Sequence, residues 1–210
     1  ICTYKREAFV KNNLKRLLAG IAAEPEWGNV LHVFVIDNAK TLELPENEYY
    51  TVVPNKNLGG SGGFTRGITE VCKDPSFTHF LLMDDDIHFE FETLKRTAYL
   101  LRALSAEYKY ATIGSPMMYL DRPTEQHEFG GYFTGLNYKP RNSHLDMTQA
   151  ESLLLNEDPP QPNYTGWWYT CMPVQTVAKY SLPLPLFIKA DDIEYGMRAI
   201  EHLILLSGIA

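Results

Sequence analysis

The sequence predicts an α/β fold, with a mostly parallel sheet flanked by helices on both faces and a smaller mixed lobe laid against it. Three observations predict it. Apolar β-prone runs alternate with helical periodicity through the first half of the chain, those runs end abruptly in polar residues, and after Ala111 the pattern gives way to extended aromatic segments. With roughly 150 residues per domain as a guide, 210 residues make one domain with two halves, 1–110 and 111–210.

Ile1 to Thr3 reads as the tail of a buried strand. Arg6 to Gly20 follows with Phe9, Val10, Leu14, Leu17 and Leu18 on one helical face and a glycine to close it. Val30 to Ile36 is an unbroken apolar run ending in Asp37-Asn38, the pattern of a central strand whose end meets a polar loop. Tyr49 to Val53 is a shorter strand, Asn55 to Gly63 a glycine-rich turn, and Gly63 to Cys72 a helix stopped before Pro75. Phe77 to Met83 is a strand that runs into Asp84-Asp85-Asp86, and Glu92 to Leu104 is a helix. In the second half, Tyr110–Tyr119 and Glu128–Tyr138 are extended, Arg141–Pro162 is polar and proline-spotted, and Tyr164–Cys171 is an aromatic strand. Asp192 to His202 is a helix behind Asp191, and a last apolar strand follows. In such a sheet the ligand site lies at the strand C-termini, where Thr3, Asp37, Asn38, Asn55 and the aspartate triplet fall.

Composition narrows the function. Nineteen Lys and Arg against 26 Asp and Glu give a net charge of -7 with no basic run, which argues against nucleic acid as a partner. No stretch approaches the roughly 18 apolar residues of a membrane span. Cys2, Cys72 and Cys171 are odd in number and form no CxxC pair, so a disulfide framework or cysteine zinc site is not expected and a reducing cytoplasm is. The six histidines show no ligand spacing of the HExxH kind.

The aspartate triplet is the sharpest signal. Three carboxylates crowded at one strand end repel one another, and a divalent cation would relieve the repulsion. Oxygen-only carboxylate ligands suit Mg2+ or Mn2+, which keep positions open for substrate phosphates. A turn and a helix N-cap would use the same residues. The glycine-rich segment Asn57 to Gly67 could bring backbone N–H groups against a phosphate or sugar, or could be a tight turn with close helix packing. It has neither the Lys-Ser/Thr ending of a P-loop nor the GxGxxG order, which disfavours ordinary ATP or NAD binding. Arg66 is a candidate diphosphate clamp. The pair Asp191-Asp192 opens a helix, where N-capping would account for one of the two, while a partly desolvated carboxylate there could act as a general base. Trp167 and Trp168 offer an aromatic face for a sugar ring, with at least one of the pair expected in the core because neighbours on a strand point oppositely.

Taken together, Thr3-Tyr4-Lys5-Arg6, Val35-Ile36-Asp37-Asn38, Asn57 to Gly67, Met83-Asp84-Asp85-Asp86, Gly166-Trp167-Trp168 and Leu184 to Gly196 closely resemble glycosyltransferase family 2, nearest to the galactofuranosyltransferases and related rhamnosyltransferases. The resemblance covers nearly the whole chain in order. It implies a GT-A fold, a UDP- or dTDP-linked sugar donor bound by the 1–110 half, a glycan or lipid-linked acceptor bound by the 111–210 half, and inversion at the anomeric carbon in cell-surface polysaccharide synthesis. By that resemblance Thr3, Arg6, Asp37, Asn38, Asn57, Gly59, Gly60, Arg66 and Asp85 line the donor site, and Asp84 and Asp86 hold Mn2+ or Mg2+. Trp167, Trp168 and Asp191 face the acceptor, and Asp192 is the catalytic base. A non-catalytic nucleotide-sugar-binding domain and a metal-dependent nucleotidyltransferase are the competing readings.

Two departures temper the expectation. Ala190 stands where the galactofuranosyltransferases tend to carry Trp, which alters the acceptor wall. The family also supplies a metal-binding histidine beyond the Asp-Asp helix, whereas His202 falls inside that helix and the chain reads as an excised fragment. The expectation is weak metal binding and poor turnover by this chain alone, in the cytoplasm or at the inner face of the cell membrane. Homo-oligomerisation and peripheral membrane attachment through other regions stay open.

Overall fold

The computed structural model describes residues 1–135, 137–158 and 162–209. The first half runs β1 (Cys2–Thr3), α1 (Glu7–Ala23), β2 (Val33–Asp37), β3 (Tyr50–Pro54), α2 (Gly59–Val71), β4 (His79–Leu82) and α3 (Phe91–Ala103). The second half holds β5 (Thr112–Gly114), β6 (Met117–Met118), β7 (Glu125–Glu128), β8 (Gly131–Thr134), β9 (Asn137–Pro140), β10 (Leu145–Asp146) and α4 (Ala150–Glu157). It ends with β11 (Thr170–Pro173), α5 (Gln175–Tyr180), α6 (Asp191–Ala199) and β12 (Leu203–Leu205).

Two sheets meet edge to edge. β1, β2 and β3 pair in parallel, Cys2 against Ile36 and Val33 against Tyr50, and a parallel bridge from Cys2 to Asp84 carries the surface on to β4. Beyond it the order is β4, β11, β5, β12. β11 is antiparallel to both neighbours, so the sheet is mixed on that side rather than parallel throughout. The reason is local. Of the expected Tyr164–Cys171 strand only Thr170 onward joins the sheet, and the aromatic residues before it form a connecting loop. β6, β7 and β10 make a separate antiparallel sheet, and β8 and β9 a hairpin.

Side-chain alternation separates two cores. Cys171 points with Val35, Met83 and Ile113 into the cluster that receives Val10, Leu14, Leu17 and Ile21 of α1 and Leu94 of α3. Met172 points the other way, with Phe80 and Leu82, into the cluster that receives Phe64 and Ile68 of α2 and Tyr195 and Ala199 of α6. Helices therefore cover both faces of the sheet, as period-2 burial requires.

The glycine-rich stretch departs from expectation: it is helix from Gly59 onward rather than a loop reaching to Gly63. Close approach explains the composition. A Cβ on Gly63 would sit 2.1 Å from Cys2 Sγ, so the helix lies directly on β1 only because that position carries none. α1 likewise runs past Gly20 to Ala23, α4 lies within the polar Arg141–Pro162 segment, and α5 was not anticipated. The Pro159, Pro160 and Gln161 part of that segment, Leu136 and Ala210 lie outside the described residues.

Candidate functional site

The strand C-termini form the floor of the site. Thr3 pairs with Asp37 across β1 and β2, and the backbone N–H groups of Asn38 and Asn55 donate to Thr3 and Asp37 carbonyls at 3.0 and 2.9 Å. Asn55 Nδ2 donates to Asn38 Oδ1 at 2.9 Å, and Asn38 Nδ2 to the Gly59 carbonyl at 3.0 Å. This amide chain ties the floor to the start of α2. The Thr3 hydroxyl is buried with no hydrogen-bond partner among the described residues, a polar atom that a bound ligand would satisfy. Asp37 plays a different part from the one expected. Its carboxylate accepts from the Ala39, Lys40 and Leu42 amides at 2.9, 2.9 and 2.7 Å, so it shapes the turn at the rim.

Two acidic groups converge above that floor. The Asp84 carboxylate accepts no hydrogen bond and joins no ion pair among the described residues. Burial pushes it up to about 6, helped by the charges of Asp86 and Asp85 and then of Asp192 and Asp191. The end of β4 and the start of α6 thus present carboxylates to one space, although 105 or more residues separate them in sequence. Asp85 is buried and Asp86 exposed, and Arg6 Nη1 reaches both, Asp85 Oδ1 at 3.1 Å and Asp86 Oδ2 in a closer pair. Asn13 Nδ2 holds the Asp85 carbonyl at 3.0 Å. Among the described residues no three His, Cys, Asp or Glu side chains gather in a metal-holding cluster. The unpaired, partly desolvated Asp84 and the neighbouring Asp86 are a hard-oxygen pair that fits Mg2+ or Mn2+, with further ligands coming from phosphate and water.

On the opposite wall Asp192 Oδ2 accepts from the Tyr164 hydroxyl at 2.6 Å and Oδ1 from the Ile193 amide at 2.8 Å. Burial pushes Asp191 up as well, and its Oδ2 lies 3.2 Å from where a Gly60 Cβ would stand. Sequence reasoning missed a third carboxylate here. Glu128 is buried, its carboxyl is pushed up by that burial, and the Tyr138 hydroxyl lies 2.8 and 2.9 Å from its two oxygens. The Tyr138 and Tyr164 rings meet edge-on at 5.4 Å, so the two tyrosine–carboxylate pairs are neighbours. The signal lay in the alternation of Gln126 and Glu128, two polar residues on the inward face of one strand.

Four expected donor residues already have partners within the chain. Gly59 N–H donates to Asn57 Oδ1 at 3.2 Å and Gly60 N–H to the Phe187 carbonyl at 3.0 Å, so neither amide points at an open phosphate site. The Asn57 side chain is accordingly spent on its own turn. Arg66 Nε pairs with Glu70 one turn along α2 at 2.6 Å. That i, i+4 pair holds the guanidinium along its own helix.

The two tryptophans separate. Trp167 is buried against Phe64 at 5.1 Å and Tyr195 at 6.2 Å, so its ring packs in the core, and its indole N–H has no partner among the described residues. Trp168 donates its indole N–H to the Ser115 carbonyl at 3.1 Å and borders a groove of about 690 Å³ shared with Asp86, Met117, Tyr119 and His127. Trp167→Ala is therefore expected to cost about 3–5 kcal/mol, roughly 10 °C in thermal midpoint, as large-to-small core changes do. Trp168→Ala should shift the midpoint far less and act on acceptor use. Equal losses of midpoint in thermal melts of the two variants would contradict this division.

Comparisons with known proteins bear on the fold and on the class of sequence. No protein-family model matches the chain. It is 28% identical over 225 aligned positions to galactofuranosyltransferase GlfT2 of Mycolicibacterium smegmatis, covering 96% of this chain and 34% of that protein. It is 32% identical over 162 positions to galactofuranosyltransferase GlfT2 of Mycobacterium tuberculosis, covering 70% of this chain and 24% of that one. The chain thus spans about a third or less of the length of these curated relatives. Among solved structures, S. aureus TarS residues 1–349 superposes with a TM-score of 0.57 at 15% identity, over 98% of this chain and 56% of that one. Its complex with UDP gives 0.58 with the same coverage. The fold is that of a GT-A-like glycosyltransferase domain. In sequence the chain resembles the galactofuranosyltransferases.

Proposed function

We propose that this chain is the catalytic domain of an inverting, metal-dependent glycosyltransferase that moves a galactofuranose- or rhamnose-type sugar from a nucleotide-diphospho-sugar to a glycan or lipid-linked acceptor. The observation that carries this reading is the gathering at the strand C-termini of the unpartnered Thr3 hydroxyl, the Arg6–Asp85–Asp86 ion pairs and, against Gly60 at the start of α2, Asp191, with the charges of Asp191 and Asp192 felt at Asp84. The resemblance to the galactofuranosyltransferases and the UDP bound by TarS support the donor class.

Thr3, Asn38 and Asn55 form the floor on which the nucleotide rests, with Asp37 holding the rim. Asp84 and Asp86 would hold the divalent ion, which would offset the charge that builds on the departing diphosphate. Donor entry draws Arg6 from Asp86 toward phosphate oxygens, since a guanidinium fits either anion. Asp192 accepts the proton of the acceptor hydroxyl as that oxygen forms its bond to the anomeric carbon. The carbon–oxygen bond to the diphosphate breaks on the opposite face, its electron pair leaves with the nucleoside diphosphate, and the configuration inverts. Tyr164 fixes the base, and Glu128 with Tyr138 orients the acceptor beside it. We place the reaction in the cytoplasm or at the inner face of the cell membrane, in cell-surface polysaccharide synthesis. Among the described residues no helix is long and apolar enough to cross a membrane.

Calorimetry with UDP and with dTDP, each with and without Mn2+, tests the donor site. Wild type is expected to bind one of them in a Mn2+-dependent way, and an Asp84→Ala, Asp86→Ala double variant to lose at least tenfold in affinity. Binding of neither nucleotide by the full-length protein would reject the proposal.

A further inference from the structure

The acidic pair Asp191-Asp192 follows an unusual connection. Between α5 and α6 the chain crosses the beginning of α2 as a strap, residues 182–190, with Pro183 turned inward while Leu184, Phe187 and Ile188 are 49%, 57% and 69% exposed. Burial of side chains therefore does not hold the outer strap. Backbone contacts do: the Ser61 hydroxyl donates to the Leu184 carbonyl at 2.5 Å and the Gly60 amide to the Phe187 carbonyl at 3.0 Å. Gly59, at φ +74°, leaves room for this, because a Cβ there would lie 1.6 Å from the Phe187 carbonyl oxygen. The strap then enters α6 through Lys189 and Ala190, both non-glycine residues at positive φ, 66° and 62°. Two consecutive residues in the left-handed region persist only where the surroundings impose them.

Arg198, at the far end of α6, ties that helix to the start of the strap. Its Nε and Nη2 grip Glu194 at 2.5 and 3.1 Å, Nη2 also donates to the Leu182 carbonyl at 3.1 Å, and Nη1 donates to the Tyr180 carbonyl. Glu194 in turn accepts from the Leu184 amide at 3.3 Å, and the Tyr195 hydroxyl donates to the Ser181 carbonyl at 3.1 Å. One guanidinium thus ties the helix that begins with Asp191-Asp192 to the root of the strap, and the strap's middle is pinned to α2. We propose that Arg198 is a positioning residue: together with Ser61, which holds the Leu184 carbonyl two residues further along, it latches the strap and so sets where Asp191 and Asp192 stand against the donor side of the site. This use of the latch rests on the sugar-transfer reading, whereas the latch itself does not.

Arg198→Lys tests it, because lysine keeps the charge and a partner in Glu194 but loses the fork that spans two carbonyls. Three quantities are compared with wild type in the full-length protein: tryptic cleavage after the exposed Lys189 under native conditions, UDP affinity in Mn2+, and turnover of UDP-galactofuranose at saturating donor and acceptor. Cleavage is expected to rise about tenfold, since it follows the population of the opened strap. Turnover should fall by about the same factor, with UDP affinity held within twofold. Ser61→Ala, which unpins Leu184 from α2, should show the same split, and it decides the matter if Arg198→Lys does not fold. Unchanged cleavage in the folded variants overturns the latch, and faster cleavage with unchanged turnover overturns the positioning role. If wild type transfers from neither UDP-galactofuranose nor a dTDP-linked rhamnose donor, the sugar-transfer reading fails while the cleavage rates still decide whether the latch exists.

Discussion

Replacing Asp192 by Asn is expected to lower sugar transfer by about 10²–10⁴-fold while leaving Mn2+-dependent UDP affinity within about twofold, the range a positioned general base contributes. The side chain keeps its shape, and its carbonyl oxygen can still accept from Tyr164, which now bonds Asp192 Oδ2 at 2.6 Å. What disappears is a group able to take the acceptor proton. Turnover measured with saturating donor, beside calorimetry on the same preparation, separates that loss from damage to the donor site. Asp191→Asn serves as the internal comparison. Asp191 lies against Gly60 at the strap side, and its replacement should disturb donor and acceptor placement without removing the base. Unchanged turnover in Asp192→Asn would remove it from the chemistry, and the same assay on Glu128→Gln would then show whether the second buried carboxylate holds the proton instead. Binding of nucleotide with transfer by neither wild type nor variant would favour a non-catalytic binding domain.

Much of the site was legible because its strongest signals are local. A strand such as Phe80-Leu81-Leu82 that ends in three aspartates announces a functional edge, and Asp37-Asn38 after the Val33–Ile36 run does the same. What each residue does with its hydrogen bonds was not legible. Asp37 spends both oxygens on the turn that follows it, and Arg66 turns its Nε to Glu70. Both facts depend on backbone directions that residue type does not encode. The glycine run misled for a related reason. Glycines that let a helix press on β1 and pass beneath the Phe187 carbonyl look, as letters, like glycines that cradle a phosphate. Glu128 escaped notice because it sits in a lobe of two- to four-residue strands, where periodicity is too short to reveal which face is buried. The Trp pair was half resolved: neighbouring residues had to part ways, but only packing against Phe64 and Tyr195 shows that Trp167 is the one inside.

The Asp84 carboxylate sets function against stability, and pH separates the two. Its ordinary value of 3.8 is raised to about 6 by burial and by four neighbouring aspartates, so the folded chain holds that proton more tightly than the unfolded chain does. Below about pH 4 both states are protonated and the carboxylate costs nothing. As pH rises from about 4 to about 6 the unfolded chain ionises freely while the folded one resists, and stability falls by up to about 3 kcal/mol, at 1.36 kcal/mol per unit of pKa difference. Above about pH 6 the full cost is present. A bound divalent ion reverses the local balance, because it favours the ionised form of the carboxylate that the empty site disfavours. Two results are expected. Without metal, Asp84→Asn should raise the thermal midpoint at pH 7.5 by several degrees, since 1 kcal/mol corresponds to about 2–4 °C at this chain length. The same variant should lose the Mn2+-dependent part of nucleotide affinity at every pH. In wild type that part should weaken about tenfold per pH unit below about 6, as protons compete with the ion for Asp84. Nucleotide affinity that is flat from pH 5 to pH 8 in Mn2+ would show that Asp84 is not a ligand. A midpoint that drops in Asp84→Asn would show that its carboxylate is held by partners rather than strained by its neighbours.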